Sequence, residues 1–394
     1  MLNIVTKKNF YIFSIFILIT FLIIYRGPCF FTEGTFDKDE VSFYNYAKDN
    51  GLIKGFFYVY EPASYFKLWT NIANTFASFF SFEAAKIITK FFSVTIYYTI
   101  FAYILFFKSE LFHTFKQKIF AICVILFSPG MTPEIWMGSA HIREYFGIFA
   151  FILLFYDPKN DTNFKKKFSH VLVIFSFLSS VWAAVLTPVY FIKYSFNRNK
   201  NNLIFFLSSF ICSLIQFTIV MHYHFLKSAG TTSRFQVGTD KIFSFIYNVP
   251  VRSFFGSTIP KYFFVKTDIY LFNYFNFVLF FAFIFLTILL LIYIFRKQDF
   301  LLNLILLSFI LISIFAIAGS FPAGFVGGRY AVLSCVILTF LVFRIFTLED
   351  NLIIKNSLGM FLLFSLMIGL VEFKYKSPLP NVLACKMSIV ERKN

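Results

Sequence analysis

Charge is the first thing this sequence is short of. Only 14% of its 394 residues are Asp, Glu, Lys or Arg and 59% are hydrophobic, against about 25% charged residues in a globular domain. A chain so apolar reads as an integral membrane protein. Acids are scarcer than bases, 19 against 36, for a formal net charge of +17. That excess does not point to nucleic acid, because the basic residues recur as short clusters between apolar runs instead of forming one basic domain. This is the positive-inside pattern of a multi-pass membrane chain. The five cysteines contain no CxxC pair, which removes zinc, iron–sulfur and thioredoxin-like sites. Cys123, Cys212 and Cys335 fall in apolar runs as packing residues. Cys29 and Cys385 share the predicted non-cytoplasmic side, where a disulfide and two unpaired thiols both stay open. His222 and His224, two apart, lie on different faces of a helix with no third ligand near in sequence. With no Walker motif, GxSxG or GxGxxG, there is no support for ATP-driven transport, serine hydrolysis or dinucleotide chemistry. What abounds is aromatic, with 65 Phe and 22 Tyr, a bias that skewed base composition of the gene would produce.

The apolar runs then set the expected topology. Lys7 and Lys8 precede an apolar run over 10–25, and Arg26-Gly27-Pro28-Cys29 offers no small-residue cleavage site, so the run reads as an uncleaved anchor with a cytoplasmic N-terminus. An outer acidic segment, 26–90, follows, with amphipathic pieces such as 63–82 expected to lie in the interface plane. Residues 91–107 return to Lys108, Lys116 and Lys118. The runs 119–127 and 146–156 are too short to span alone and flank the polar stretch MTPEIWMGSAHIREY. Broken helices at membrane depth must face protein or a wet cavity, so Glu134, His141, Arg143 and Glu144 are expected to face a cavity. The run 171–191, interrupted at Thr187-Pro188 and basic at both ends, is expected to be a re-entrant hairpin. Residues 203–221 lead out to a second large outer loop, 222–273, and 275–294 return. Runs 301–318, 331–346 and 358–371 alternate after that, leaving a short outer tail, 372–394. The expected fold is an all-α polytopic membrane protein of roughly ten or eleven transmembrane or re-entrant helices. It forms one integral membrane domain over 1–394, with no soluble domain, heptad run or internal repeat.

Against this background the acids Glu33, Asp37, Asp39 and Glu40 crowd together just after the first run. Carboxylates at a bilayer surface suit general-base removal of a proton from a sugar hydroxyl, or oxygen ligation of a divalent cation. Phe43, Tyr44 and Tyr46 beside them suit sugar faces. A solvated loop balanced by Lys38 and Lys48 would account for any one of these acids; taken as a cluster they read as functional. On the same predicted side stand Arg143, Arg252 and Arg329, with Arg329 in Gly327-Gly328-Arg329-Tyr330 at the start of a late helix. Arginine suits bidentate phosphate binding, although interfacial snorkelling is the competing reading for each.

The acidic run Asp37-Lys38-Asp39-Glu40 before VSFYNYAKDNG, the PEIWMGSAHIREYFG stretch between short runs, the LTP near Pro188 and Gly327-Gly328-Arg329-Tyr330 together resemble the GT-C class of polytopic glycosyltransferases. Within that class the size and topology are similar to the O-antigen glucosyltransferases. The tail departs from members with a sizeable outer C-terminal domain, being too short to form one. The resemblance implies an inverting glycosyltransferase of the bacterial inner membrane, with the C-terminus periplasmic. It would transfer a sugar, such as glucose, from a polyprenyl-phosphate donor to an acceptor glycan such as lipopolysaccharide O-antigen. Asp39, Glu40 and Asp37 would be catalytic, and Glu33, Glu134, His141, Arg143, Arg252, Arg329 and Tyr330 would bind substrate. No cofactor is required by this reading; a divalent cation held by Asp37, Asp39 and Glu134 is left open. An O-antigen polymerase and a lipid-linked glycan flippase are the alternatives.

Overall fold

The computed structural model of the chain describes residues 13–22, 38–61, 64–129, 139–159, 161–223, 239–256, 269–319 and 329–375. Among these there is no strand, only an isolated bridge between Ser109 and Tyr156. The helices are α1 Phe13–Leu22, α2 Lys38–Phe56, α3 Leu68–Ala77, α4 Phe82–Phe106, α5 Phe115–Phe127 and α6 Arg143–Leu154. There follow α7 Asn163–Ser179, α8 Val181–Val185, α9 Thr187–Phe196, α10 Lys200–Met221, α11 Thr239–Ile246 and α12 Arg252–Phe255. The chain closes with α13 Ile269–Lys297, α14 Phe300–Gly319, α15 Arg329–Leu348 and α16 Leu352–Tyr375. Five of them, α4, α10, α14, α15 and α16, are long and apolar enough to cross a bilayer. The protein is an all-α, multi-pass membrane protein. Its outward face agrees: Ile211, Leu214 and Phe217 on α10 stand 57%, 48% and 62% exposed, an apolar surface that lipid, not water, would cover.

One end of the bundle is organised by lysine. Where helices arrive there, lysine ammonium groups donate to the carbonyls that the helix leaves unpaired. Lys118 reaches Leu105 and Phe107 O at the end of α4 (3.0 and 2.7 Å), and Lys165 reaches Phe106 O (2.8 Å). Lys193 reaches Leu154 O at the end of α6 (2.7 Å), and Lys297 reaches Leu348 O at the end of α15 (3.1 Å). Where helices depart from the same end, polar side chains cap the free N–H groups. Thr114 and Gln117 form a capping box on α5. Thr162 caps α7, Asn199 caps α10, Asp299 accepts from Leu302 N (2.7 Å) on α14, and Asn351 accepts from Ile353 N (3.0 Å) on α16. Arg344 then fixes Asp299 through two bonds of 3.1 and 2.7 Å. The clusters that mark the predicted cytoplasmic side are thus also the chemistry that ends the helices.

Between the ends, α6 is the axis, with all twelve of its residues buried. Its packing needs Gly147, since a Cβ there would meet Leu333 on α15 and Trp182 on α8 at 2.9 and 3.0 Å. The expected hairpin is present, but it turns at Ser180 and not at Thr187-Pro188. Helix α7 leaves the lysine end, Ser180 (φ −144, ψ 121) breaks it, and α8 and α9 return to that end. Pro188 sits at the first turn of α9, where its missing N–H costs nothing.

The opposite end is roofed by α2 and α3. Within the piece 63–82, α3 is an amphipathic helix whose polar face is turned inward, with Thr70, Asn71, Asn74 and Thr75 all buried. Gly51, at φ +79, kinks α2 in a conformation that an L side chain resists. The roof is tied to the bundle by Gln216 of α10. Its Oε1 accepts from Phe66 N (3.0 Å), and its Nε2 donates to the carbonyls of Phe66 (2.9 Å), Phe177 (3.2 Å) and Leu178 (3.1 Å). Gln216→Leu leaves these buried groups unpaired and is expected to cost at least about 1–3 kcal/mol. The check is thermal unfolding in detergent, with lipid-facing Leu214→Ala, expected near wild type, as control.

Candidate functional site

Helix α2 places the acids. Asp39 and Glu40 occupy its first turn, where the helix dipole favours negative charge. The acidic segment is therefore helical from Lys38, not a loop. The two carboxylates have different fates. Glu40 is 2% exposed and its Oε1 accepts from both Ser139 N (2.5 Å) and Ser139 Oγ (2.7 Å). Ser139 is in turn held by α3: Thr70 Oγ1 donates to its carbonyl (2.8 Å) and Asn74 Nδ2 to its hydroxyl (3.2 Å). Glu40 thus pins the turn Ser139–His141 ahead of α6 beneath α2 and α3. Asp39 keeps 28% of its side chain exposed, with Lys67 Nζ at 3.8 Å.

Lys67 is the residue that the sequence reading passed over. It is 1% exposed, and its ammonium lies over three rings, Phe43 (5.3 Å), Tyr65 (5.5 Å) and Tyr60 (5.8 Å). Ring faces attract a cation, which offsets part of the cost of burying it. The Tyr65 ring also lies 5.0 Å from the Arg143 guanidinium carbon. Arg143 Nε donates to Glu144 Oε1 at 2.8 Å. The result is a continuous series, Asp39, Lys67, Tyr65, Arg143, Glu144, in which two cations share one ring and each is flanked by a carboxylate. Arg143 spends one N–H on Glu144, and its Nη groups have no partner among the described residues. Glu144 is fully buried, and its Oε2 has no hydrogen-bond partner among the described residues. Around the rim, Tyr46 and Tyr58 stack at 3.9 Å. Burial first, and then the neighbouring Tyr60 and Glu61, raise the Tyr58 phenol above its ordinary pKa, so it stays a neutral donor.

Not every predicted residue joins this group. Arg143 and the buried His141 belong to the segment that Glu40 pins. Arg143 and Glu144 are buried, 6% and 0% exposed. Arg252, on α12, is buried elsewhere and donates to Pro129 O (3.1 Å), with no contact to Arg143 among the described residues. Tyr330 stands at the start of α15 with its ring 6.4 Å from Trp182, which packs on Gly147 one turn along α6 from Arg143. The Arg329 backbone opens α15 and its side chain lies outside the description; Glu33, Asp37, Glu134, Cys29 and Cys385 also lie outside the described residues. No three His, Cys, Asp or Glu side chains among the described residues are grouped to hold a metal ion.

A single Lys in the run SYFKLW was the available signal for Lys67. Its pairing with Asp39 across 28 positions was not readable from spacing. Glu40→Ala removes a charged acceptor from two buried donors and is expected to destabilise by about 1.5–3 kcal/mol. Glu40→Gln, which keeps an acceptor oxygen, should cost less, and unfolding in detergent measures both. No family model, curated protein or solved structure matches this chain.

Proposed function

We propose that this protein is a membrane glycosyltransferase that moves a sugar from a polyprenyl-phosphate donor to a cell-surface glycan with inversion. One observation carries the reading. At one end of the bundle, two buried cations flanked by carboxylates leave one carboxylate, Asp39, open to solvent, and leave one guanidinium whose Nη groups have no partner among the described residues. Asp39 is the general base. It takes the proton of an acceptor hydroxyl as that oxygen bonds to the anomeric carbon, and the bond from that carbon to the phosphate oxygen breaks. The Arg143 Nη groups, with Lys67 behind them, stabilise the charge that collects on the departing phosphate. Enclosure by Tyr65, Tyr60 and Phe43 strengthens that interaction by keeping water away. Glu40, which the sequence alone ranks beside Asp39 as base, becomes a positioning residue because Ser139 occupies its carboxylate. Helix α6 presents its N-terminus to the same place, which suits an anionic group.

The acceptor in this reading is a glycan such as lipopolysaccharide O-antigen, and the membrane is the bacterial inner membrane with the site on its periplasmic side. The charge pattern supports an enzyme over a flippase, because the ion pairs among the described residues stand near helix ends. The test is the mass and chain length of the host surface glycan with wild-type and variant genes. Wild type should add one hexose per repeat at unchanged chain length. Asp39→Asn should insert at normal abundance and lose transfer by at least about 10²-fold. Arg143→Lys, which keeps charge but loses the fork, should also fall. Full activity in Asp39→Asn sinks the proposed base, and collapse of long chains to single repeats on deletion makes the protein a polymerase.

A further inference from the structure

The lysine end holds a cavity of about 880 Å³ that the proposed transfer reaction does not use. Its polar rim comes from the connections after α4 and α6 and from the end of α9: Glu110, His113, Asp157, Lys159 and Lys193. Lys193, 4% exposed, donates to Glu110 Oε2 at 2.8 Å and to Leu154 O at 2.7 Å, and Asp157 lies close enough to act on its charge. Asp157 and Lys159 keep groups free for a ligand. Asp157 Oδ1 accepts from the Lys159 backbone N–H (3.0 Å), while Asp157 Oδ2 and the Lys159 ammonium carry no hydrogen bond or ion pair among the described residues. An acceptor anion and a donor cation therefore stand two residues apart on one rim. Asn197, Gln298 and Asn303 add neutral amide groups.

The wall is of another kind. Ile192 on α9 and Leu301, Leu304 and Leu307 on α14 form an apolar surface that rises away from the rim. Leu301 to Leu307 at 1.5 Å per residue gives it a height of roughly 9 Å. At the mouth, the rings of Phe196 and Phe300 meet at 5.2 Å and join α9 to α14, and Phe196 is 76% exposed. Such a ring on a membrane protein belongs against lipid. A polar rim at headgroup level, continuous with an apolar wall between two helices, fits an amphiphile and not a freely soluble solute. The half-buried Asp157 and the exposed Lys159 have opposite sign, so a zwitterionic head complements both and a singly charged head only one.

We infer that this cavity binds a zwitterionic phospholipid. Its ammonium pairs with Asp157, its phosphate pairs with Lys159, and the first part of one acyl chain lies along Leu301, Leu304 and Leu307. The full-length protein in detergent is titrated with dioleoyl phosphatidylethanolamine, dioleoyl phosphatidylglycerol or glycerophosphoethanolamine while Tm is followed. Phosphatidylethanolamine should give a saturable rise, with about ten-fold more phosphatidylglycerol needed for the same rise and none from the headgroup alone. Asp157→Asn should remove the difference between the two lipids, and Leu307→Trp, which fills the cavity, should abolish the rise. If Leu307→Trp does not fold, Asn303→Trp at the exposed rim takes its place. Equal response to both lipids, a response to the headgroup alone, or an undiminished rise in both Asp157→Asn and the Trp variant would overturn the assignment.

Discussion

The structure depends on one constraint: a helix that ends within or near an apolar medium leaves carbonyls and N–H groups that no water reaches, and protein must supply their partners. At one end lysine does this for arriving helices, with Lys118, Lys165, Lys193 and Lys297 each donating to terminal carbonyls. Thr, Asn and Asp caps do it for departing ones. The interaction gives the positive clusters a second use beside topology. A lysine that holds a helix end stays on the side where its charge is solvated, so orientation and capping reinforce each other.

The same constraint, met with fewer charges, builds the site at the other end. Helix α6 is buried throughout and must begin under cover, so the turn at Ser139 needs partners from α2 and α3. Glu40 supplies two of them, through Ser139 N and Ser139 Oγ. Asp39, one residue earlier on the same turn, is left with a distant ammonium and access to solvent. Burying Lys67 and Arg143 beside it is tolerable because the Tyr65 ring and the two flanking carboxylates compensate both. A buried, fully engaged carboxylate and a partly exposed one are thus separated by one peptide bond. A single rigid helix then joins this cluster, at its N-terminus, to Lys193 and the cavity at its C-terminus.

The sequence alone determined the composition-level facts: an all-α multi-pass membrane chain, alternation of apolar runs with basic clusters, a hairpin between two basic ends, and an acidic region worth attention. These are properties of single residues and of short windows, where hydropathy and charge add up locally. Tertiary structure decided where the hairpin turns, which polar residues of α3 face inward, and which of two adjacent carboxylates remains open. The physical reason is that desolvation belongs to a place and not to a residue. Glu40 is fixed by a turn 99 positions away. Asp39 meets Lys67 only because α2 folds back on α3, and Tyr65 joins Lys67 to Arg143 only once α6 is packed beneath them.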